Sequence, residues 1–373
     1  MRVVLVSLGA LCLSACSVVQ SQNPTRFEKA DFAGRSLDDA LGMIAEATVE
    51  DGAPGAIVAV MRDYDVSVVS AGLAQKRTDR PMPLSHPLRI ASISKVYTAT
   101  IAVMLARDGV LDLDAPIKNY LPSDVIRDLP NGDVVTTRHL LTHTGGMPDI
   151  YDLRSVLFQD WSEEITLERM LPVAKRQGAT GTPGQDFDYS DMGYIIAGAV
   201  IEAASARPLE DLVADRVFRP TQATASFVNV KFPVTPSIHG YGLRHRPDAD
   251  AWDRWEHSGP AAGVMASAED VTKVIAALVF EDGALADIGQ AMLEAPVEVS
   301  PRFSQGLGLH KLVSGSGYSL IGHSGSINGY VSFAYARPDR NTVLFGHLNR
   351  DCEELRDSMR RAVLLAEEFA GSE

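Results

Sequence analysis

The sequence predicts an α+β fold, with an antiparallel sheet flanked by helices and a second, mostly helical lobe. Two β-rich runs, 55–63 and 65–73, lie near the start of the chain, and further strand-like runs lie near its end. Between them, short helical patterns alternate with Pro- and Gly-rich loops. Strands from both ends most simply pair in one sheet, so the helical segment is an insertion. We assign residues 36–110 and 226–373 to an α/β lobe and residues 111–225 to a helical lobe.

The first residues carry the pattern of an export signal. One arginine, a short apolar stretch and then small residues are typical of a secretory leader, and the stretch is too short for a membrane anchor. The letters LSAC, which end at Cys16, resemble a bacterial lipobox, whose cysteine becomes lipidated. Residues 1–15 are then a lipoprotein signal peptide and residues 16–35 a polar tether. The alternative is an ordinary signal peptide with a coincidental cysteine.

A lipidated Cys16 places the protein on the periplasmic side of the bacterial envelope, anchored by its lipid. Ser17 follows it in place of the aspartate that favours inner-membrane retention, so the outer membrane is the favoured location. Cys12 leaves with the signal, and Cys352 alone cannot form a disulfide within the chain.

Net charge argues against nucleic acid as a partner. The formal charge is −14 and no basic run is present, whereas a protein that neutralises phosphates needs a concentrated basic face. We expect a small-molecule or peptide substrate instead.

Caps and apolar spacing define the helices and strands in order. Residues 36–50 combine a serine cap, early acids and helical apolar spacing. The two β-rich runs then form a hairpin across an Asp-Tyr connection. A helix follows the stretch RIASISK and ends near Gly109. The same criteria predict later helices at 138–142, 166–177, 191–205, 267–280, 284–294 and 352–369.

Alternation identifies the strands near the end of the chain. Val331, Phe333 and Tyr335 alternate with smaller residues over 330–336, as in a strand with one buried face. A Pro-Asp turn joins this run to the next one.

Ser92 and Lys95 lie in the stretch SISK, where a helix begins. Unpaired N–H groups and the helix dipole stabilise an alkoxide there and disfavour an ammonium. Lys95 shares a helix face with Ser92, and the dipole and partial burial should lower the lysine pKa. Lys95 can then accept the serine proton and make Ser92 a nucleophile.

The alternative is that Ser92 caps the helix and Lys95 points into solvent. Two features favour a catalytic pair. No other serine in the chain has a lysine three positions later, and the residues around the stretch are apolar.

The stretch SISK, followed closely by an aromatic residue, resembles the nucleophile motif of serine β-lactamases and penicillin-binding proteins. It is most similar to class C β-lactamases and D-alanyl-D-alanine carboxypeptidases, and to related esterases and D-amino-acid peptidases. The resemblance covers nearly all of residues 36–369. It implies a β-lactamase/transpeptidase-like fold with a five-stranded antiparallel sheet, and two further motifs in a fixed order.

Tyr189-Ser190-Asp191 matches the second motif, Tyr-x-Asn, except at its last position. A phenol near a lysine can act as a base or pass a proton to a leaving amine, although a tyrosine packed in a loop is the alternative. The family asparagine binds the acyl side chain of the substrate. Asp191 in its place only accepts hydrogen bonds, disfavours anionic acyl groups, and raises the pKa of a neighbouring lysine.

Three His-x-Gly stretches compete for the third motif, which lies on an edge strand beside the cleft. His143-Thr144-Gly145 precedes Tyr189, and His257-Ser258-Gly259 runs into a loop that leads to a helix. Only His323-Ser324-Gly325 follows a strand and enters the alternating run. We select His323, which can polarise Tyr189 or help to hold a substrate carboxylate.

The resemblance also implies an oxyanion hole formed by the backbone N–H groups of Ser92 and Ser326. Ser324 and Gly325 would bind substrate, because a glycine lets the substrate lie against the strand as an added strand.

We therefore predict a serine hydrolase that forms an acyl-enzyme from an amide, lactam or ester, with D-Ala-D-Ala-type peptides and β-lactams as favoured substrates. A carboxylesterase on the same fold is one alternative. Another is a non-catalytic envelope protein that binds peptidoglycan peptides, which Asp191 favours. We expect no cofactor and no metal, because His139 and His143 have ligand spacing but no evident third ligand.

Overall fold

The computed structural model describes residues 27–150, 165–228, 238–242 and 259–371. The predicted signal peptide, Cys16, most of the predicted tether, and His257 of the second His-x-Gly stretch lie outside the described residues.

Helix boundaries agree with the predicted ones to within two residues at each end. The described helices are α1 Lys29–Phe32, α2 Leu37–Glu50, α3 Ser94–Arg107, α4 Ser123–Asp128, α5 Thr137–Leu141, α6 Leu167–Gln177, α7 Asp191–Ser205, α8 Leu209–Val213, α9 Arg219–Thr221, α10 Ala268–Val279, α11 Ala286–Met292 and α12 Glu353–Phe369. The described strands are β1 Gly55–Arg62, β2 Asp65–Gln75, β3 Arg80–Pro81, β4 Leu88–Arg89, β5 Ser226–Val228, β6 Val264–Ala266, β7 Val297–Ser300, β8 Phe303–Gln305, β9 His310–Val313, β10 Ser319–Ile327, β11 Tyr330–Arg337 and β12 Thr342–Leu348.

The two ends of the chain meet in the main sheet, as predicted. Its strand order is β3-β2-β1-β12-β11-β10-β9-β8-β7, and each neighbouring pair is antiparallel. The register of β1 on β12 runs from Ala56 opposite Leu348 to Arg62 opposite Thr342. This antiparallel sheet with its helices is the architecture that the resemblance implies.

The expectation of five strands is wrong, because the described part of the main sheet contains nine. Short outer strands extend it: β3 at one edge, and β8 and β7 at the other. Residues 297–300 alternate valine with polar residues, but this run is only four residues long and largely exposed, so it was not predicted as a strand. Short, polar outer strands are a usual way to protect a sheet edge from further pairing.

Helices cover both faces of the main sheet. On one face α2 and α12 pack on large side chains that include Val58, Val60 and Phe333. On the other, α10 packs on β1, β11 and β12. The prediction that residues 330–336 form a half-buried strand is therefore wrong, since every residue of β11 is buried. The small residues Ala334 and Ala336 face the α10 side, where they let a helix pack closely.

The predicted tether ends earlier than expected. Helix α1 lies within residues 16–35, and Phe32 is fully buried in the core that α2 and α12 form against the sheet. The rings of Phe27 and Phe32 lie 5.1 Å apart. At least from Phe27 onward, the chain is therefore part of the folded unit.

Helices α4 to α9 occupy the middle of the chain. Helix α7 packs on both α3 and α5. A small second sheet, with strand order β4-β6-β5, was not predicted, and its strand β4 leads directly into the turn that carries Ser92. No helix within the described residues combines the length and the apolar character that a membrane span requires.

Candidate active site

Ser92 lies in a tight turn immediately before α3, and not within the first turn of the helix as the sequence suggested. Residues Ala91–Ile93 form a 3₁₀ turn and the α-helix starts at Ser94. Ala91 has φ of 53°, a left-handed conformation that costs energy for a residue with a Cβ atom. The neighbouring strand β10 holds this turn, because a Cβ at Gly325 would lie 2.3 Å from the carbonyl oxygen of Ile90.

Side chains on the first turns of α3 fix the loop that leads to β6. The Ser94 hydroxyl accepts a hydrogen bond from the Val264 N–H at 3.0 Å. The Thr98 hydroxyl donates to the Pro260 carbonyl at 2.6 Å. These bonds place the carbonyl oxygen of Ala261 beside Lys95.

Lys95 is fully buried and all three of its N–H donors are used. Its Nζ donates to Ser92 Oγ at 3.1 Å, to Asp191 Oδ1 at 2.5 Å and to the Ala261 carbonyl at 3.0 Å. This pattern is that of a charged ammonium.

The pKa of Lys95 is raised, so the predicted lowering is wrong. Burial alone would lower it, but the carboxylate of Asp191, and next the phenol of Tyr189, outweigh burial. The sequence also predicted that Asp191 raises the pKa of Lys95, and this effect prevails over burial.

Tyr189 joins Ser92 and Lys95, as predicted. Its phenol makes hydrogen-bonding contact with both side chains, and Lys95 Nζ lies 5.1 Å from the centre of its ring. The imidazole of His143 stacks on the ring at 4.1 Å. Burial raises the pKa of Tyr189, Lys95 opposes this, and Asp191 adds to it. In the free protein Tyr189 is thus a neutral phenol.

Asp191 is the first residue of α7, where the helix dipole favours a carboxylate. Ser190 caps this helix: its hydroxyl accepts from the Gly193 N–H at 3.2 Å and donates to the Pro148 carbonyl at 3.0 Å. The backbone N–H of Asp191 donates to Asp149 Oδ1 at 3.2 Å.

His323 is buried on β10 and its ring stacks on His310 at 3.8 Å. Nδ1 lies 2.5 Å from the Ser324 carbonyl, which only accepts, so Nδ1 carries the proton and Nε2 is a free acceptor. Burial, and next the neighbouring His310 and Lys95, lowers the pKa of His323 well below its usual range. His323 is therefore neutral and can hold a substrate through a hydrogen bond, not through a positive charge.

The structure does not bring the Ser324 side chain into this cluster. Ser324 pairs with Phe333 of β11 and hydrogen-bonds Tyr335, and both partners belong to the core on the far face of the sheet. Successive strand residues point to opposite faces, so the side chain of Ser324 lies opposite that of His323.

The backbone of Ser326 is suitably directed for the predicted oxyanion hole. Ile327 and Tyr330 close a two-residue turn and therefore form a hydrogen-bonded pair. The N–H of Ser326, one residue earlier, then points away from β11. Strand β9 pairs with β10 only as far as Gly322, so this edge is open in the described part of the sheet.

Gly325 has a role that the sequence did not show. The space that a side chain would need is taken by the Ile90 carbonyl and by Ala91, not by an incoming strand. Gly325 thus brings β10 against the turn that carries Ser92. Its predicted contact with substrate remains a prediction.

Sequence reasoning missed Asp149, His310 and the role of His143, which it had weighed only as a metal ligand or motif residue. Asp149 accepts hydrogen bonds from two backbone N–H groups, those of Ile150 at 2.8 Å and Asp191 at 3.2 Å. Burial, and next the negative charge of Asp191, raises the pKa of Asp149 to about 7. Among the described residues, no group of His, Cys, Asp or Glu is arranged to hold a metal ion.

Comparison with known proteins identifies relatives of this chain. Penicillin-binding protein 4 of Amycolatopsis lactamdurans is 28% identical over 247 residues, which are 65% of this chain and 63% of that protein. Esterase EstB of Burkholderia gladioli is 28% identical over 301 residues, which are 71% of this chain and 75% of that protein.

A solved structure and a family model agree with these relatives. The crystal structure of D-amino acid amidase from Ochrobactrum anthropi SV3, complexed with L-phenylalanine amide, superposes with a TM-score of 0.78 at 25% identity and covers 90% of this chain and 99% of that one. The model of the family described as Beta-lactamase matches residues 41–368. The chain belongs to the Beta-lactamase family.

Proposed function

We propose that the protein is a serine hydrolase that forms an acyl-enzyme on Ser92. The observation that carries this proposal is the contact of Ser92 Oγ with Lys95 Nζ at 3.1 Å, with the Tyr189 phenol beside both. A hydroxyl beside such partners can be deprotonated as it attacks a carbonyl. The N–H groups of Ser92 and Ser326 would bind the resulting oxyanion.

The proton of Ser92 needs an acceptor, because Lys95 starts as an ammonium and Tyr189 as a neutral phenol. Asp191 Oδ1 lies 2.5 Å from Lys95 Nζ. As Ser92 transfers its proton to Lys95, Lys95 passes one to Asp191, which becomes neutral. Tyr189 is placed to give its proton to the leaving group and to regain one from Lys95, which recovers its own from Asp191, and water then releases the acyl group.

Amides and esters are the substrates that we propose, with D-Ala-D-Ala-type peptides, β-lactams and amino acid amides as the first classes to test. Relatives named for penicillin binding, esterase and amidase activity support this range. Carboxylesterase activity is the second candidate. The neutral state of His323 favours it over carboxypeptidase activity, since His323 supplies no positive charge for a C-terminal carboxylate.

Incubation with a panel of acyl donors, followed by intact-protein mass spectrometry, tests the proposal. The panel contains p-nitrophenyl acetate, nitrocefin, a D-Ala-D-Ala peptide and D-alanine amide. We expect a mass increase equal to one acyl group, absent in Ser92→Ala. If no donor acylates a protein that is shown to be folded, and a fluorophosphonate also fails to label it, the non-catalytic alternative replaces this proposal.

We further propose that the protein is exported and lipid-anchored through Cys16 on the periplasmic side of the outer membrane. The pattern of the first sixteen residues supports this proposal. Cells fed a radiolabelled fatty acid should yield a labelled protein in the outer-membrane fraction. Label that persists in Cys16→Ser, or a wild-type protein without label, contradicts lipidation.

A further inference from the structure

We propose that this site selects acyl donors that carry an ammonium group on the acyl side, next to the carbonyl that Ser92 attacks. Asp191 and Asp149 are the residues that determine this specificity. The inference rests on the proposed acyl-enzyme function and names its substrate class.

Two carboxylates and one cation lie in this site, and the cation pairs with only one of the carboxylates. Lys95 bonds directly to Asp191 Oδ1, and among the described residues no hydrogen bond reaches the second oxygen of Asp191, whose side chain keeps 13% exposure. Asp149 has only backbone N–H partners in the described structure and forms no ion pair there. Once Asp149 is ionised, Lys95, Asp191 and Asp149 together carry a net negative charge.

A second observation points to a missing hydrogen-bond donor. Nε2 of His323 is buried without a partner among the described residues, and it is an acceptor because Nδ1 donates to the Ser324 carbonyl. A buried acceptor without a partner is costly. Lys95, which bonds Asp191, lies close enough to the ring of His323 to affect its pKa.

An ammonium group matches both features. It has three N–H donors and one positive charge, so it can satisfy a carboxylate and a neutral acceptor together. A substrate with a hydroxyl in the same place supplies one hydrogen-bond donor and no charge. A carboxylate there would be repelled.

Protonation of Asp149 gives the specificity a pH dependence. The groups that face Asp149 are Asp191 on α7, Lys95 on α3 and the Gln177 amide on α6, which donates to the Asp149 carbonyl at 2.8 Å. Because its pKa is raised to about 7, Asp149 loses its charge as the pH falls through neutrality. The preference for an ammonium group should weaken in the same range.

Three p-nitroanilides that share one leaving group test the inference. Their acyl groups are D-alanyl, with an ammonium, D-lactoyl, with a hydroxyl of similar size, and N-succinyl-D-alanyl, with a carboxylate. At pH 7.5 we expect kcat/KM for D-alanyl to exceed that for D-lactoyl by about 10-fold or more, with the succinyl compound slowest. The ratio should fall towards one in Asp149→Asn and in Asp191→Asn, mainly through KM.

Asp186→Asn is the matched control. It removes the same charge from an exposed position a few residues before α7, and should leave the ratio at its wild-type value. A wild-type ratio near one or below it, or an equal fall in Asp186→Asn, overturns the inference while leaving the acyl-enzyme proposal intact.

Calorimetry separates the two proposals. Binding of D-alanine amide and of D-lactamide to Ser92→Ala requires no turnover, and the amide with the ammonium should bind about 10-fold more tightly at pH 7.5. If no donor ever acylates Ser92, the proposed function fails, and this measurement still decides whether the site prefers an ammonium group. Equal affinities contradict the inference.

Discussion

The charge of Lys95 depends on one neighbouring residue. Its ammonium is buried, yet its pKa stays high because Asp191 accepts a hydrogen bond from it at 2.5 Å. In the Tyr-x-Asn form of the motif this position is uncharged. The aspartate therefore changes the proton balance of the site.

Asp191→Asn should move the pH dependence of acylation towards lower pH. Without the carboxylate, burial becomes the main influence on Lys95 and lowers its pKa, so neutral Lys95 appears at lower pH than in the wild type. The measurement is the burst rate with p-nitrophenyl acetate, an acyl donor without charge, from pH 6 to pH 10. Asp186→Asn should keep the wild-type profile, and a wild-type profile in Asp191→Asn contradicts the role assigned to this carboxylate.

The residues that sequence reasoning found share a short motif with a chemical meaning. Ser92 and Lys95 are three positions apart, and Tyr189 and Asp191 flank a helix cap, so local spacing is enough to single them out. Asp149 and His310 could not be found in this way. Each joins the site through a contact with a residue far away in the sequence, and neither is part of a recognisable pattern.

At the level of helices and strands, a helix cap and a close contact between a strand and a turn position the site. Ser190 fixes the first turn of α7 and thereby the backbone of Asp191. Gly325 fixes how closely β10 approaches the turn that carries Ser92.

Ser190→Ala should cost about 1 kcal/mol of unfolding free energy, the usual value for a lost helix cap. It should also slow acylation, because the first turn of α7 carries Asp191. Ser36→Ala is the matched control, since Ser36 caps α2 through the Asp39 N–H at 3.1 Å on the far side of the sheet. Urea unfolding should show similar losses for both variants. Equal acylation rates in the two contradict the positioning role of Ser190.

Gly325→Ala should reduce both stability and acylation. Its new Cβ would lie 2.3 Å from the Ile90 carbonyl oxygen, so the strand or the turn must move, at a cost of about 1–3 kcal/mol. Gly315→Ala is the control, because its nearest neighbour, Arg302, is 4.0 Å away. If Gly325→Ala forms the acyl-enzyme at the wild-type rate, close contact between β10 and the turn is not required.

Helices were predictable because serine or threonine caps and apolar spacing mark them locally, as at Ser36 and Ser190. The outer strands were not. Strands β7 and β8 are only four and three residues long, and their strand conformation comes from pairing of β7 with β8 and of β8 with β9, which such short runs do not predict. The alternation in 330–336 correctly predicted a strand. It did not predict that helix α10 covers the face formed by the small residues.

For the whole molecule, buried neutral histidines set how stability depends on pH. Burial lowers the pKa of His347 to about 3, so it is uncharged in the folded protein at pH 5. An unfolded histidine, with an ordinary pKa of about 6.5, binds a proton there. The unfolded state then binds more protons, and stability falls as the pH drops below about 6.5.

His347→Gln should reduce this loss by up to about 1.4 kcal/mol per pH unit between pH 6.5 and pH 4. Urea unfolding at several pH values, expressed as the difference between variant and wild type, cancels the contributions of all other groups. His86→Gln, at an exposed position, should follow the wild type. A pH dependence of stability that is the same in His347→Gln and the wild type shows that His347 becomes protonated without unfolding.

The pairing of β1 with β12 also governs when this protein can fold. Ala56 faces Leu348, 292 positions later in the chain (348 − 56), in the middle of the main sheet. A ribosome that has made β1 must therefore add almost all of the remaining sequence before that strand finds its partner. Such distant pairing slows folding, so in newly made chains β1 can pair with β2 early, while its other edge stays unpaired and open to aggregation until β12 is made.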